Sequence, residues 1–230
     1  MSFAKRLQTV EERIAAACER AGRNRDDVTL IAVSKTKPVS AITEATAAGI
    51  RVFGENRVQE LRDKYEALPD EAIAWHLIGT LQSNKVKYLP GIKTLSMIHS
   101  VDSEKLAREI ERQGEKHAHV FDVLLEVNMA REATKGGLAP EEVRGLIEVV
   151  AQMSHLRVRG LMTIAPFTED AESNRPYFRG LRELMEELNA SQILPEPMQT
   201  LSMGMSGDYE VAIEEGATHV RVGTALFGER

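Results

Sequence analysis

Apolar runs alternate with amphipathic segments along most of the chain. The segment VTLIAVS at 28–34 is almost continuous in Val, Ile and Leu, and similar runs recur down the sequence. Such runs are typical of strands that are covered on both faces of a parallel sheet. We predict eight strands, at 28–34, 51–54, 74–79, 97–101, 122–128, 156–164, 200–204 and 219–223.

Helical patterns separate most of these strands. We predict helices at 39–48, 57–67, 103–113, 140–153, 171–188 and 209–215, whereas the connection QSNKVKYLPG has only a weak helical pattern. A further helix precedes the first strand, because Phe3, Leu7, Val10 and Ile14 recur at helical spacing. The N-terminus carries charges throughout, which does not fit a secretory leader.

This order of elements predicts an α/β fold, a (β/α)8 TIM-type barrel with an extra N-terminal helix. The main alternative is a doubly wound open sheet, which predicts a glycine-rich turn after the first strand. The sequence has Ser-Lys-Thr-Lys-Pro at 34–38 instead, so the barrel is favoured. No linker divides the chain, and we expect one domain over residues 1–230.

Composition narrows the classes of function. The net charge is −6 and no basic stripe is present, which argues against nucleic-acid binding. No apolar run approaches ~18 residues, so we expect no membrane span. Cys18 is the single cysteine, which fits a reducing cytoplasm. His117 and His119 lack the further ligands of a metal site, so no metal is expected.

The active sites of TIM barrels lie at the carboxyl ends of the strands. The loops after the seventh and eighth strands often bind phosphate through backbone N–H groups at a short helix start. Here those loops offer the Ser206 hydroxyl and the backbone at Gly223 and Thr224. The alternative is that the glycines of these loops, Gly204, Gly207 and Gly223, only form turns.

A lysine ends the first predicted strand. Lys35 has the parity of Ile31 and Val33, on a side that should be buried. Partial loss of hydration would favour the neutral, nucleophilic amine. The alternatives are a lysine that extends to water, or Lys37, which has the same parity. Because Lys37 precedes Pro38 and falls in the predicted loop, Lys35 is preferred.

Several segments together resemble the pyridoxal phosphate homeostasis protein family, which is similar to the N-terminal, fold-type III barrel of alanine racemase. They are IAVSKTKP, FGENRVQE, WHLIGTLQSNK, LSMGMSGD and HVRVGTALFG, spread from about residue 30 to 228. The resemblance implies a binding site for pyridoxal 5′-phosphate (PLP) with Lys35 as the Schiff-base lysine. It also implies Arg221 at the pyridine nitrogen, Ser206, Gly223 and Thr224 at the phosphate, and Asn56 near the ring hydroxyl. Met203 and His76 would line the wall, or pack in the core, and Lys135 has no assigned role.

The resemblance implies a carrier that maintains or delivers PLP, with transient contacts to apo-enzymes, rather than an enzyme. An arginine at the ring nitrogen weakens the electron sink, and no second domain is expected to supply the acid or base of a racemase. Tyr209 is the one tyrosine expected near the seventh loop. Alternatives are a fold-type III enzyme such as an amino-acid racemase, a PLP-free barrel acting on a sugar phosphate, and a protein-interaction module.

Overall fold

The computed structural model describes residues 2–69, 72–132 and 134–228. Eight parallel strands in this part of the chain close into one barrel in sequence order. β1 pairs with both β2 and β8, so the open sheet is excluded and the predicted barrel is confirmed. The strands are β1 (Thr29–Val33), β2 (Val52–Glu55), β3 (Ala74–Leu77), β4 (Leu95–Val101), β5 (Phe121–Glu126), β6 (Leu156–Met162), β7 (Thr200–Met205) and β8 (His219–Val222).

Helices surround the barrel: α1 (Phe3–Arg20), α2 (Val39–Ala47), α3 (Val58–Ala67), α4 (Glu104–His117), α5 (Val143–Val150), α6 (Arg175–Ala190), α7 (Tyr209–Glu214) and α8 (Thr224–Phe227). The connection between β3 and β4 is a 3₁₀ helix, Ser83–Gly91, with Pro90 inside it. Two predicted helices begin with a 3₁₀ turn, at Pro140–Glu142 and Ala171–Asn174. Among the described residues, no helix has the length and hydropathy needed to cross a membrane.

The first strand shows why its sequence is apolar on both faces. Leu30 and Ala32 belong to the core between the strands and the helices. Ile31 lies in the barrel interior, where a methyl group added at Gly54 would come within 2.8 Å of it. Val33 lies there too, and a methyl group at Gly223 would be 3.5 Å from its Cβ. The glycines therefore leave room for branched side chains inside a narrow barrel.

Helix α1 packs on the elements that follow β7 and β8. It begins after Ser2, whose hydroxyl accepts a hydrogen bond from the Lys5 amide. The ring centroids of Phe3 and Phe227 lie 5.2 Å apart, which joins α1 to α8. The Arg20 guanidinium donates to Glu214 on α7 at 2.6 Å. The N-terminal helix therefore fixes α7 and α8, which border the predicted phosphate site.

Candidate functional site

Lys35 lies at the carboxyl end of β1, in a turn that the Lys37 amide closes on the Ser34 carbonyl at 3.0 Å. The side chain is partly buried. Among residues 2–69, 72–132 and 134–228, the Lys35 ammonium has no hydrogen-bond or ion-pair partner. The turn thus presents one unengaged amine at the mouth of the barrel.

Lys37 lies in a different environment, although strand alternation gave it the parity of Lys35. Thr36, between the two lysines, has φ +64°, so the alternation of an extended strand stops there. The Lys37 ammonium lies 3.5 Å from the Phe227 carbonyl oxygen and 3.4 Å from that of Gly228. It is therefore engaged with the end of α8. The structure favours Lys35 as the available amine.

A hydroxyl and backbone donors come together next to this turn. β8 pairs with β1, and the register sets Ala32 beside Val222, so Gly223 and Thr224 follow at the same end of the barrel. The Ser206 hydroxyl accepts from the Gly223 amide at 3.2 Å and from the Ala225 amide at 3.4 Å. Thr224 is exposed, and its hydroxyl has no hydrogen-bond partner among the described residues. This arrangement can bind an anion.

Arg221 lies on β8 inside the barrel and is 4% exposed. Its guanidinium donates to the Ser202 hydroxyl at 2.6 Å and to the Thr163 carbonyl at 2.8 Å. Burial lowers the pKa of Arg221 to about 10, while the negative charges of Glu126 and Asp208 act in the opposite direction. The side chain therefore stays charged at neutral pH and is held in a fixed direction.

A chain of polar groups crosses the barrel from Arg221. The Ser202 hydroxyl lies 2.9 Å from Nδ1 of His99, and Nε2 of His99 lies 2.8 Å from Nδ1 of His76. Burial lowers the pKa of His76 to about 3 and that of His99 well below its usual value, so both rings are neutral. The Ser202 hydroxyl can accept from Arg221 and still exchange a hydrogen bond with His99, so these groups form one continuous chain of hydrogen bonds. This chain of hydrogen bonds holds Arg221 in place by connecting it to β4 and β3 on the opposite wall of the barrel.

Asn56 follows β2 and lies against Gly79. A methyl group at Gly79 would come within 2.4 Å of the Asn56 carbonyl oxygen, so only glycine permits this approach. The Asn56 side chain is partly exposed, and it has no hydrogen-bond partner in the part of the chain that the structure describes. It can therefore donate to and accept from a bound molecule.

Two other predicted residues lie away from this group. Met203 is fully buried in the core between strands and helices, because its neighbour Ser202 faces the interior. The Tyr209 ring is buried beneath the Arg13 guanidinium of α1, 5.4 Å from the ring centroid. Tyr209 does follow the seventh loop, as expected, but as the first residue of α7 its ring packs towards α1.

Lys135 and His76 also have defined places. The Lys135 ammonium pairs with Glu132 at 2.9 Å and donates to the Ala165 carbonyl at 3.3 Å. It therefore joins the loops after β5 and β6. His76 belongs to the buried chain below the mouth rather than to its rim.

Sequence reasoning missed Glu126, the last residue of β5. It is 8% exposed, and its carboxyl group makes no hydrogen bond with the described residues. Burial and the nearby charge of Asp102 raise the pKa of Glu126 to about 7, while Arg221 lowers it. The signal was present, because a carboxylate ending the apolar run DVLLE is unusual unless it is solvated or functional.

The comparisons with known proteins agree with this fold. The family model described as "Alanine racemase, N-terminal domain" matches residues 6–230. The alanine racemase of Clostridium difficile 630 superposes with a TM-score of 0.75 at 13% identity, over 98% of this chain and 57% of that chain, which shows the shared fold alone.

Closer relatives match over nearly their whole length. A protein of Aquifex aeolicus named "Pyridoxal phosphate homeostasis protein" is 52% identical over 100% of this chain and 99% of its own. PipY of Synechococcus elongatus PCC7942, solved with PLP bound, is 38% identical with a TM-score of 0.84, over 99% of this chain and 100% of that chain. The chain belongs to the pyridoxal phosphate homeostasis protein family, within the alanine racemase N-terminal domain family.

Proposed function

We propose that this protein binds PLP as a Schiff base on Lys35 and serves to hold and deliver the cofactor. The observation that carries the proposal is the unengaged Lys35 amine beside the Ser206 hydroxyl and the Gly223 amide, across the β1–β8 pair. An amine next to an anion site matches an aldehyde that bears a phosphate. The name of the relatives and the PLP-bound PipY structure support the same cofactor.

The available polar groups fit each part of the cofactor. Ser206, Gly223 and Thr224 would hold the phosphate, since two hydroxyl groups lie beside the backbone at the start of α8. Arg221 would lie at the ring nitrogen, with its direction fixed by Ser202. The unpartnered amide of Asn56 would lie at the ring hydroxyl. Met203 has no place in this arrangement, because it is buried in the outer core.

The site favours retention of PLP over strong carbanion chemistry. Bound PLP supplies an electron sink whose strength depends on a protonated ring nitrogen. The Arg221 guanidinium has only donors and stays charged at neutral pH. Arg221 would therefore donate a hydrogen bond to the ring nitrogen and keep that nitrogen unprotonated. We accordingly expect a carrier with little turnover.

The tyrosines support the same conclusion. Tyr209 points towards α1, and Tyr65, Tyr88 and Tyr177 pack against the outer core. All four rings lie against the outer core, so none of them is proposed as the acid or base that a racemase requires on the second ring face.

One observation favours an amino-acid racemase or related fold-type III activity as the alternative. The carboxyl group of Glu126 is buried, has no hydrogen-bond partner among the described residues, and has a pKa raised to about 7 by burial and Asp102. A carboxyl group of this kind can give or accept a proton near neutral pH. Exchange of the Cα proton of an amino acid in deuterium oxide separates the two functions. A carrier gives exchange at the buffer rate, whereas an enzyme gives catalytic exchange that is lost in Glu126→Gln.

The primary test is the site of attachment. Purified protein mixed with PLP should absorb in the visible range, and borohydride reduction should leave a phosphopyridoxyl group on Lys35. The Lys35→Ala variant should stay colourless, and Lys37→Ala is the matched control that should remain yellow. An adduct on Lys37, or colour retained in Lys35→Ala, would contradict the proposal.

Delivery would require short-lived contacts with apo-enzymes that depend on PLP, and we place these contacts in the cytoplasm. Cys18 is the single cysteine and is buried as a free thiol, which fits a reducing compartment. Transfer can be followed as the activity regained by an apo-enzyme on mixing with PLP-loaded protein. The Lys35→Ala protein, treated identically, is the control for free PLP.

A further inference from the structure

A buried ionic cluster lies outside the barrel, between β1, β2 and α3. We call Ser34, Glu55, Glu60 and Lys64 the Lys64 cluster. The Lys64 ammonium donates to the Ser34 carbonyl at 2.7 Å, to Glu55 at 2.6 Å and to Glu60 at 2.7 Å. All three of its protons are therefore engaged, and Lys64 is only 5% exposed.

The Lys64 cluster forms hydrogen bonds with the backbone and side chains on both sides of Lys35. On the N-terminal side, the Ser34 hydroxyl donates to Glu55 at 2.6 Å and the Ser34 carbonyl accepts from Lys64. On the C-terminal side, the Thr36 amide donates to Glu60 at 2.6 Å. The residues that flank the proposed Schiff-base lysine are thus tied to one ammonium group.

The turn needs this support because its backbone is unfavourable. Thr36 has φ +64°, a left-handed conformation that a β-branched residue rarely adopts. Such a conformation is unfavourable in an isolated chain. It persists only where the surroundings impose it. The charged acceptor on the Thr36 amide is the contact that imposes it here.

The cluster is not arranged for stability alone. Glu55 is fully buried, and its second carboxylate oxygen has no hydrogen-bond partner among the residues that the structure describes. Leaving a buried acceptor unpaired destabilises a fold, and a buried ion pair is often less stabilising than apolar packing. Its contacts with the turn give the cluster a second role.

We infer that the Lys64 cluster is a positioning device that holds the 34–37 turn so that the Lys35 amine, rather than Lys37, reaches the aldehyde of PLP. This inference rests on the proposed function. In the step it assists, the neutral Lys35 nitrogen forms a C=N bond with the aldehyde carbon, and the aldehyde oxygen leaves as water with the two amine protons. No member of the cluster would touch PLP, since Ser34, Glu55 and Lys64 lie on the outer side of the barrel.

The test uses Glu60, because its side chain is 24% exposed and water can replace it without unfolding the protein. Glu60→Ala removes the acceptor of the Thr36 amide, whereas Glu60→Gln keeps a carbonyl oxygen there. Glu66→Ala is the control on the same helix, since Glu66 is exposed and forms an ion pair with Arg62, away from the turn. Thr36→Gly is the rescue variant, because glycine adopts positive φ without support.

Hydrogen exchange reports on the turn itself, and the reaction with PLP reports on its consequence. In protein without PLP, Glu60→Ala should speed hydrogen exchange of the Thr36 amide on the order of tenfold, while Glu60→Gln and Glu66→Ala should not. With PLP added, Glu60→Ala should slow the appearance of visible absorbance on the order of tenfold, because fewer molecules hold the competent turn. Peptide mapping after borohydride should then show part of the adduct on Lys37.

The Glu60→Ala/Thr36→Gly double variant decides between a turn effect and a charge effect. The inference expects it to recover the rate and the Lys35 selectivity of wild type to within about threefold. Failure of this rescue, or a Glu60→Gln variant as slow as Glu60→Ala, overturns the inference. So does a Glu60→Ala protein that matches wild type while wild type still forms its adduct on Lys35, and in that case the proposed function stands. Wild type without an adduct on Lys35 overturns both.

Discussion

Arg221 and Ser202 are joined inside the barrel by a hydrogen bond of 2.6 Å, and Ser202 in turn contacts His99. The arginine on β8 is thereby connected through β7 to β4, on the opposite wall. A long side chain would otherwise have several orientations in this interior. The hydroxyl therefore determines where the guanidinium points, and hence what it can offer to a ring nitrogen at the mouth.

Ser202→Ala should destabilise the protein by about 1–3 kcal/mol, because it leaves a donor of Arg221 and a ring nitrogen of His99 unpaired in the interior. Urea denaturation measures this as a lower midpoint with an unchanged slope. Ser154→Ala, at an exposed position, is the control and should stay within about 0.5 kcal/mol of wild type. Equal stability of the two variants would show that the chain of hydrogen bonds is not formed in solution.

Two glycines should respond oppositely to substitution by alanine. At Gly160 on β6, a methyl group would lie 1.8 Å from the Thr200 carbonyl oxygen of β7, so Gly160→Ala should separate the two strands and cost several kcal/mol. At Gly145 on α5, nothing lies within 4 Å, and Gly145→Ala should stabilise by about 0.5–1 kcal/mol. Thermal unfolding of both variants checks the pair, and a tolerated Gly160→Ala would contradict the strand pairing.

The buried histidines should make the protein sensitive to acid. Burial lowers the pKa of His76 to about 3, that of His219 to about 4, and that of His99 well below its usual value. The unfolded chain protonates these rings near pH 6.5, so it binds more protons than the folded protein below that pH. Stability should therefore fall as the pH drops from about 6.5 to 4.

Urea midpoints across this range measure the fall. His219→Gln should flatten it, since one of the three groups no longer titrates. An unchanged profile in this variant would show that His219 is not held neutral by the fold.

Glu126 should make stability depend on pH in the opposite direction. Because its folded pKa of about 7 is above the ordinary value, the folded protein binds an extra proton between about pH 4.5 and 7. Stability from this group is complete below pH 4.5 and is lost as the pH rises to 7, by about 3 kcal/mol in total.

The Glu126→Gln variant isolates this effect from that of the histidines. Relative to wild type, it should gain about 3 kcal/mol between pH 4.5 and pH 8. A difference that is constant with pH would mean that Glu126 is solvated and titrates normally.

The barrel was predictable from sequence because it depends on local patterns. Near-continuous apolar strands and intervening helical periodicity identify a parallel sheet covered on both sides, and the absence of a glycine-rich turn after β1 removed the open-sheet alternative. The connection between β3 and β4 had only a weak helical pattern, and it forms the 3₁₀ helix Ser83–Gly91, in which Pro90 disfavours a regular α-helix.

The site was predictable only in part. Strand parity placed Lys35 at the mouth, but it gave Lys37 the same face, since a left-handed residue at Thr36 cannot be read from alternation. The chain of hydrogen bonds from Arg221 to His76 was missed, because its members are up to 145 residues apart in sequence and meet only when the barrel closes. Met203 was expected at the pocket wall, and alternation against Ser202 turns it into the outer core.

Ser206 provides the sharpest test of the phosphate site. Its hydroxyl accepts from the Gly223 and Ala225 amides, so Ser206→Ala should loosen the start of α8 and, if the proposal holds, remove a ligand of the phosphate. We expect PLP affinity to fall on the order of tenfold, the effect of losing about one charge-assisted hydrogen bond. Absorbance titration measures it, with Ser154→Ala as the matched control.

Pyridoxal, which has the aldehyde but no phosphate, separates anion binding from general damage to the site. If Ser206 acts through the phosphate, wild type and Ser206→Ala should bind pyridoxal equally, and inorganic phosphate should compete with PLP more weakly in the variant. If the substitution instead distorts the mouth of the barrel, both aldehydes should lose affinity to the same extent. Equal loss would therefore remove Ser206 from the phosphate site, while leaving Lys35 as the point of attachment.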